Sequence, residues 1–288
     1  KYFNSVAAHF EKLQADVNYR INTKVGEVNS YATQIQQLNR QIYIAELDGS
    51  NANDLRDRRT LLVDKMSKII NIEANEIVTG KLPDGRDNIH FVITISGKAI
   101  VDHFDISKLA VVQRSADDKL NVEDIDHLYE VRWADGNKLN IKGGEIRGYL
   151  DLRDGNDGQA GLDNTTYSPL YKGIPYYMKK LNQFVRTFAM AFNEGYIDAN
   201  TNGIIEPEEA GLGHADGYRL DSVPGDESSG IRFFTILGDD RKPVDSNTFI
   251  GGAAAIEEIV KRYDKLTAKN FAVSQEVMTD YNAISTAD

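Results

Sequence analysis

The residues whose types and spacing could do chemistry lie together in one polar loop of this chain. The sequence DANTNGIIEPEE has oxygen-bearing side chains at its first, third and fifth positions, which are Asp198, Asn200 and Asn202. A glycine stands sixth and Glu209 twelfth, the spacing of a calcium-binding EF-hand loop. Ile204, in seventh place, would add its backbone carbonyl, and both carboxylate oxygens of Glu209 would complete the shell. The loop therefore predicts a structural calcium site at these five residues.

A plain turn is the alternative interpretation of the same loop. An EF-hand needs a helix on each side, and a helix is predicted only before this loop, because Gly211 and Gly213 follow it almost at once. Asn and Gly also serve backbone geometry in turns without binding any metal. The sequence therefore requires no cofactor, and calcium is the one ion that it suggests.

Composition excludes several other kinds of chemistry. The chain has 288 residues, no cysteine and a formal net charge of −11. The acidic balance, without any run rich in Lys or Arg, argues against a nucleic-acid partner, and no apolar run reaches the roughly 20 residues that span a membrane. The five histidines are scattered, and no nucleophile or phosphate-binding motif appears. We expect no enzymatic activity.

Long helices are predicted at both ends of the chain, because apolar residues recur there at helical spacing. These residues are Phe10, Leu13, Val17, Ile21, Val25, Val28, Tyr31, Ile35, Leu38 and Ile42 near the start, and Ile256, Ile259, Tyr263, Leu266, Val273, Val277, Tyr281 and Ile284 near the end. The first helix should run from about Tyr2 to Glu46, and the last should start just beyond Gly251-Gly252. One helix cannot cover its own apolar stripe, so we expect the two terminal segments to cover each other, as in a coiled coil.

Two further helices are predicted between the terminal ones. Gly49 should end the first helix, and Asn51 or Asn53 should cap a second helix that packs antiparallel to it. A third helix is predicted from about Tyr176 to Gly195, where apolar residues again recur at helical spacing.

A β-rich segment separates the second helix from the third. Phe91–Ile95 and Ile100-Val101 are rich in β-branched residues, and Ser96-Gly97-Lys98 is a turn signal between them. Tyr129–Trp133 and Lys138–Ile141 flank Asp135-Gly136, which predicts a hairpin. Another short strand is predicted at Ile231–Ile236.

These elements predict an α+β fold, an elongated helical bundle made by the N- and C-terminal segments with an inserted antiparallel β domain. The chain should leave the helical part near Ile72 and re-enter it close by at Gly143. The predicted parts are the bundle at 1–72, the β domain at 73–142, the middle of the bundle at 143–196, a loop- and strand-rich part at 197–250 and the end of the bundle at 251–288.

Several segments together resemble the flagellar hook-associated protein 1 family, the hook–filament junction proteins of bacteria. They are VNSYATQIQQLNRQI (Val28–Ile42), NDLRDRRTLLVDKMSKIINI (Asn53–Ile72), GGEIRGYLDLRD (Gly143–Asp154) with LNQFVRTFAMAFN (Leu181–Asn193), and YDKLTAKNFAVS (Tyr263–Ser274). They occur in the order of the family and cover roughly the helical half of the chain. The family's terminal axial helices are missing from this sequence, so we expect the chain to be monomeric in solution.

The resemblance implies a structural, extracellular protein of the bacterial flagellum that acts in motility by self-assembly. It implies export by the flagellar secretion system without a cleaved signal peptide. The implied partners are the hook protein, the neighbouring junction protein or flagellin, and further copies of the chain in a ring. The alternative is an extracellular binding module stabilised by calcium. A junction protein should be recovered from sheared flagella, and a binding module should not.

Overall fold

A computed structural model of the chain has two compact units. The structure describes residues 1–47, 50–81, 85–115, 118–198, 204–223 and 226–286. Unit 1 consists of Lys1–Glu11 and Tyr177–Asp288, and unit 2 is Lys12–Tyr176. Each ladder between strands is antiparallel in the described ranges, so the predicted α+β class is confirmed. The five-part division at the boundaries given above stays a prediction.

The N-terminal helix α1 (Tyr2–Leu47) has 46 residues, and all but its first part belongs to unit 2. Its buried side chains follow the predicted spacing and include Val17, Ile21, Val25, Val28, Ala32, Ile35 and Ile42. The predicted helix is therefore confirmed, and most of its apolar stripe faces the core, although Leu13 is 44% exposed. The predicted stop at Gly49 lies outside the described residues.

The second helix α2 (Asn53–Ile69) packs antiparallel to α1, as predicted. Arg56 pairs with Glu46 at 2.6 Å, and Arg59 donates to the side chain of Asn39 at 3.2 Å. Later residues of α2 thus contact earlier residues of α1, which is the arrangement of an antiparallel hairpin.

The predicted cap of α2 is wrong. The residue at the N-cap is Ala52, which has no side-chain acceptor, and its carbonyl accepts from the Arg56 amide at 3.0 Å. Asn53 is already inside the helix and Asn51 lies before the cap, so neither stands where its side chain could accept from the free amides of the first turn.

The predicted β-rich segment forms a sheet of four strands in the order β1-β2-β3-β4. The strands are β1 (Glu73–Lys81), β2 (Asp87–Ile95), β3 (Lys98–Asp102) and β4 (Asp105–Ile106). The turn from β2 to β3 is the predicted one. Ser96 and Gly97 have φ angles of 49° and 84°, and two left-handed residues in sequence give the turn type that favours hairpins.

A separate two-stranded ladder corrects part of the hairpin prediction. β6 (Tyr129–Trp133) pairs along its length with β5 (Leu109–Gln113). The turn at Asp135-Gly136 is present, but only Arg132 and Lys138 pair across it. The chain leaves the ladder after that bridge because Ile141 is buried in the core of unit 2 on the way to the next helix.

The chain returns to the helices beside the point where it left them. The Asn71 amide donates to the Gly143 carbonyl at 3.2 Å, which confirms the predicted exit and re-entry. Gly144 then begins α3 (Glu145–Asp154) with a φ of 88°. A Cβ at this position would lie 2.6 Å from the carbonyl oxygen of Ile69, so only glycine fits between the two helices.

Unit 1 is built around α4 (Ile174–Glu194), which matches the predicted third helix. Its other elements are β7 (Phe234–Ile236), α5 (Ser246–Ile250), α6 (Ile256–Tyr263), β8 (Phe271–Val273) and α7 (Gln275–Thr279). The predicted strand at Ile231–Ile236 is therefore shorter than expected. β7 pairs antiparallel with β8.

The predicted long C-terminal helix is wrong. α6 ends at Tyr263, and the side chain of Asn270 closes a turn there, accepting from the Thr267 amide at 2.7 Å and donating to the Lys265 carbonyl at 2.9 Å. β8 follows at once, so the end of the predicted bundle is a helix, a strand and a short helix. Apolar residues spaced three and four positions apart predict a helix, but they do not show where that helix is interrupted. Ala7 of α1 still packs with α6 in one buried cluster of unit 1.

Candidate functional site

The loop with the calcium spacing is only partly described by the structure. Asp198, Ile204 and Glu209 are described, and the predicted ligands Asn200 and Asn202 lie outside the described residues. In the part of the chain that the structure describes, no three His, Cys, Asp or Glu side chains come together as a metal site requires. Calcium binding at this loop stays a prediction.

The described end of the loop is a short turn of 3-10 helix, Pro207–Glu209. Oε2 of Glu209 accepts from the Glu206 amide at 3.0 Å, and the Glu209 carbonyl accepts from the Ile197 amide at 3.1 Å. These bonds fix the position of Glu209 at the mouth of the loop. In this geometry the carboxylate serves as the cap of the turn.

Replacing Glu209 with glutamine tests the calcium prediction. If the loop binds calcium, the wild-type chain should give a calorimetric signal with an affinity near ~10⁻⁴ M, because few of the ligands are charged. The variant should lose the bidentate contact and bind on the order of tenfold more weakly. Glu208→Gln, a neighbouring exposed carboxylate, is the matched control. No heat from millimolar calcium on the wild-type chain would leave only the plain turn.

Two histidines of unit 2 stack against each other. The rings of His90 and His103 have centroids 4.0 Å apart and planes within 6°. His103 is buried, and neither of its ring nitrogens has a hydrogen-bond partner within the described residues. Burial, followed by the charge of His90, lowers the pKa of His103 to about 4, with a smaller opposing effect of Asp102. Parallel rings do not converge on one ion, so this pair is packing and not a metal site.

Lower pH should destabilise unit 2 through His103. Its pKa is about 4 in the folded chain and about 6.5 in an unfolded chain, so the unfolded chain binds the proton more readily. The stability that His103 contributes is present above pH ~6.5 and is lost as the pH falls towards ~4, by roughly 1–2 kcal/mol. Urea denaturation at pH 7 and pH 5 should show this loss, and His103→Asn should remove it. The exposed His9→Asn should keep the wild-type difference.

A buried polar network lies at the end of α3 in unit 2. Arg153 is fully buried, and its Nε and Nη2 donate to the two carboxylate oxygens of Asp154 at 2.9 and 2.7 Å. Arg114 adds a second guanidinium at 3.0 Å. Burial alone would raise the pKa of Asp154, but Arg153 and then Arg114 outweigh it and hold that pKa below its usual value. Asp154 is therefore a buried carboxylate held between two cations.

Helix α1 supplies the acceptors and donors that complete this network. Gln14 Nε2 donates to the Arg153 carbonyl at 3.0 Å and to Asp124 Oδ1 at 2.8 Å. Asn18 Oδ1 accepts from Arg153 Nη1 at 2.8 Å and from the Tyr129 amide at 2.8 Å. Each of the two side chains thus ties α1 both to the end of α3 and to the β segment. Such a network orders the elements because each group would be left buried and unpaired without its partners.

A second carboxylate, Asp124, closes the network on the loop side. It accepts from the Asn121 amide at 2.9 Å, and Asn121 in turn donates to the Asp154 carbonyl and accepts from Asn156 at 2.9 Å. Burial, and then the charge of Asp154, raise the pKa of Asp124, while the bonds from Asn121 and Gln14 oppose that rise. The surroundings therefore raise the pKa of Asp124 and lower the pKa of Asp154.

Unit 1 has a buried polar network of its own, at the end of α4. Arg232 Nε and Nη2 donate to the two oxygens of Glu194, each at 2.9 Å, and the Tyr263 hydroxyl donates to the same carboxylate at 2.7 Å. Asn193 donates to the Tyr263 hydroxyl and pairs with the backbone of Phe234. Burial, and then the charge of Glu194, raise the pKa of Tyr263 well above its usual value. This network joins α4, α6 and β7.

Neither network was predicted from the sequence, although α1 contains a signal for the network in unit 2. Gln14 and Asn18 are four residues apart and lie with Val17 on the buried face of the helix. Asn39 also lies on that face and donates to the His103 carbonyl at 2.9 Å. A polar side chain on a buried helical face has to find a partner, so these residues could have been marked as network members.

The residues of the quoted motifs recur in these networks. Arg153 and Asp154 end the segment Gly143–Asp154, Asn193 ends Leu181–Asn193, and Tyr263 opens the last one. Their polar groups hold elements together in the described structure.

No helix within the described ranges combines the length and the apolar character that crossing a bilayer requires.

Comparison with known proteins identifies the family of this α+β fold. The family model described as "Flagellar hook-associated protein FlgK helical domain" matches residues 1–202. The chain belongs to this family, and the resemblance found in the sequence is confirmed.

Individual relatives agree with the family model. The chain is 26% identical to flagellar hook-associated protein 1 of Bacillus subtilis over 221 residues, which are 73% of this chain and 39% of the relative. It is 31% identical to the Salmonella typhimurium protein of that name over 117 residues, or 40% of this chain and 20% of the relative. The Escherichia coli protein is 27% identical over 210 residues, or 69% and 32%. The chain thus spans well under half the length of these relatives.

A solved structure shares the fold. "The structure of the flagellar hook junction protein FlgK from Burkholderia pseudomallei" matches 81% of this chain and 34% of that chain, with a TM-score of 0.51 and 19% identity. At this identity the match supports the fold alone.

Proposed function

We propose that this chain is the central part of a hook–filament junction subunit of the bacterial flagellum. The observation that carries the proposal is the match of the FlgK helical-domain family to residues 1–202. The name of the Burkholderia pseudomallei protein describes it as a flagellar hook junction protein, and this chain shares its fold. The protein acts by assembly and not by catalysis.

The two buried networks suit such a role. A junction subunit transmits torque between hook and filament, so its elements have to keep their relative positions under load. Arg114 with Asp154 in unit 2, and Arg232 with Glu194 in unit 1, join residues 40 and 38 positions apart through ion pairs whose carboxylates are buried. Breaking a buried pair by removing one partner is costly, which favours one arrangement of the helices and strands.

The proposal includes location and partners. The parent protein is exported by the flagellar secretion system, without a cleaved signal peptide, to the distal end of the hook. There it forms a ring with further copies and contacts the hook protein on one side and the neighbouring junction protein or flagellin on the other. It binds neither nucleic acid nor membrane.

Deleting the parent gene tests this function. A junction subunit is needed for flagellin to polymerise on the hook, so the deletion strain should release unpolymerised flagellin into the medium and lose motility. The wild-type protein should be recovered from sheared flagella. A calcium-stabilised binding module, the alternative function, would show neither result, and normal filaments in the deletion strain would reject the junction role.

A further inference from the structure

A buried histidine, His214, connects two distant segments of unit 1. It begins the 3-10 turn His214–Asp216 and is only 8% exposed. Its Nδ1 donates to the Ile231 carbonyl at 2.7 Å, and its Nε2 accepts from the Ser285 amide at 2.9 Å. One imidazole ring therefore joins its own turn to a residue 17 positions later and to another 71 positions later.

These two partners fix the protonation state of the His214 ring. A carbonyl oxygen only accepts hydrogen bonds, so Nδ1 has to carry the proton that it donates to Ile231. A backbone amide only donates, so Nε2 has to be without a proton in order to accept from Ser285. The neutral ring satisfies both bonds. The imidazolium does not, because both of its nitrogens are donors.

The surroundings of His214 are apolar and offer the imidazolium no counter-charge. The rings of Phe192 and Phe233 lie 5.9 and 5.4 Å from the His214 ring, between centroids. Within the described residues, His214 forms no ion pair. The titratable groups on its own turn and on the adjoining segments are bonded elsewhere or neutral: Asp216 accepts from the Gly213 amide, Glu194 from Arg232 and Asp280 from Arg219, and Tyr218 is a phenol.

A proton on Nε2 is therefore unfavourable while the contact is formed. Burial lowers the pKa of His214, and its bond to the Ile231 carbonyl opposes that shift only in part. In an opened segment the ring titrates near its usual pKa of about 6.5. The stability that the neutral ring contributes is thus fully present above pH ~6.5. It is lost as the pH falls towards the lower pKa of the folded unit.

The Ser285 amide belongs to residues 282–286, which we call the strap. The first part of the strap is fixed by apolar packing, because Ala283 is fully buried in a cluster with Ile231. Its last part is held by polar bonds. Thr286 exchanges two backbone bonds with Tyr218, at 2.9 and 3.0 Å, next to the bond from Ser285 to His214. The end of the strap therefore depends on few bonds, and one of them needs a neutral imidazole.

The end of the strap also lines a cleft of unit 1. Ser285 and Thr286 border this cleft of about 720 Å³ together with Phe192 and Leu212. Phe192 is 44% exposed and Leu212 is 89% exposed, so apolar surface adjoins the cleft. Moving the end of the strap would widen the cleft beside this surface.

We propose that His214 is a pH switch that holds the end of the strap at neutral pH and releases it when Nε2 takes up a proton. The added proton places an N–H donor against the Ser285 amide, which is a donor itself, so the bond between them is lost. The packing of Ala283 keeps the start of the strap in place, and the opening is therefore local. The switch is independent of the proposed function, because only contacts within unit 1 produce it.

Amide hydrogen exchange of the full chain, followed by NMR from pH 7 to pH 5, tests the switch. The protection factor of the Ser285 amide, which removes the intrinsic pH dependence of exchange, should fall by up to about tenfold per pH unit below pH ~6.5. The amide of Val185, a fully buried residue of α4, should keep its protection factor. The ¹⁵N shifts of the His214 ring should show the proton on Nδ1 at pH 7.

His214→Gln is the variant that separates the proton from the contact. A glutamine side chain has both an amide donor and an oxygen acceptor but does not titrate, so the Ser285 protection factor should be the same at pH 7 and pH 5. His9→Gln changes an exposed histidine of the same unit and is the matched control. It should keep the fall that the wild-type chain shows.

Each other outcome counts against the switch. A constant Ser285 protection factor down to pH 5 in the wild-type chain would overturn it, as would a ring proton on Nε2 at pH 7. An equal loss of protection at Val185 would show that unit 1 opens as a whole. A fall that persists in His214→Gln would assign the pH dependence to another group. If that variant does not fold, exchange and ring shifts of the wild-type chain decide the question without it.

Discussion

Arg153→Ala is expected to destabilise unit 2 by about 3–5 kcal/mol, because removing one partner of a buried ion pair leaves the other buried and uncompensated. The Asp154 carboxylate would keep only Arg114, and the side-chain oxygen of Asn18 would lose one of its two donors. Urea denaturation can measure the loss through the fluorescence of Trp133, the one tryptophan of the chain, which is buried in β6 of unit 2.

Arg147→Ala is the matched control for this variant. Arg147 lies on the same helix and pairs with Asp151 at 2.6 Å, four residues on, with its side chain 41% exposed. Exposed pairs of this kind contribute about 0–1 kcal/mol, so the control should stay close to wild type. Equal losses in the two variants would show that the buried network does not hold unit 2 together.

Glu194→Ala is expected to destabilise unit 1 by about 3 kcal/mol or more, because the change leaves the buried Arg232 and the Tyr263 hydroxyl without their acceptor. Hydrogen exchange of the amides of α4 and α6 should report the loss as faster exchange at the ends of both helices. The milder Tyr263→Phe, which removes one bond to the carboxylate, should cost about 1–2 kcal/mol.

Glu257→Ala separates this effect from a general loss of charge. Glu257 is an exposed carboxylate in the first turn of α6, and surface changes of this kind usually stay within about 0.5 kcal/mol. If Glu194→Ala exchanged no faster than Glu257→Ala, the network at the end of α4 would have no role in holding α6 and β7.

The elements that the sequence predicted well have one dominant local signal. The stripe of α1 is unbroken, and the left-handed residues Ser96 and Gly97 sit between two β-rich runs. In such segments the local pattern and the final packing agree, so periodicity alone finds the element.

The C-terminal segment shows where local pattern fails. The apolar residues from Ile256 to Ile284 keep helical spacing, yet Phe271–Val273 pairs with β7 as a strand. The decisive interactions are the side chain of Asn270, which closes the preceding turn, and the open edge of β7, which lies about 35 residues away in sequence. Tertiary pairing overrode the helical pattern there, and one sequence does not reveal that partner.

The candidate site was only partly accessible from sequence for a similar reason. The resemblance picked out Gly143–Asp154, but not that Arg153 and Asp154 would be buried with Gln14 and Asn18, more than a hundred residues before them. Spacing within one segment found the possible calcium ligands around Asp198. Contacts between distant segments depend on the fold, so they became visible only in the structure.

Locating the parent protein on isolated flagella tests the central claim most directly. Val122→Cys introduces a thiol at a position that is 74% exposed, and the chain has no other cysteine. Gold-labelled maleimide on the full-length protein should then mark one place on each flagellum, where hook and filament meet, with no such mark on flagella of the parent strain. Label spread along the filament, or flagella without any label from cells that express the protein, would contradict the assignment of this chain to the hook–filament junction.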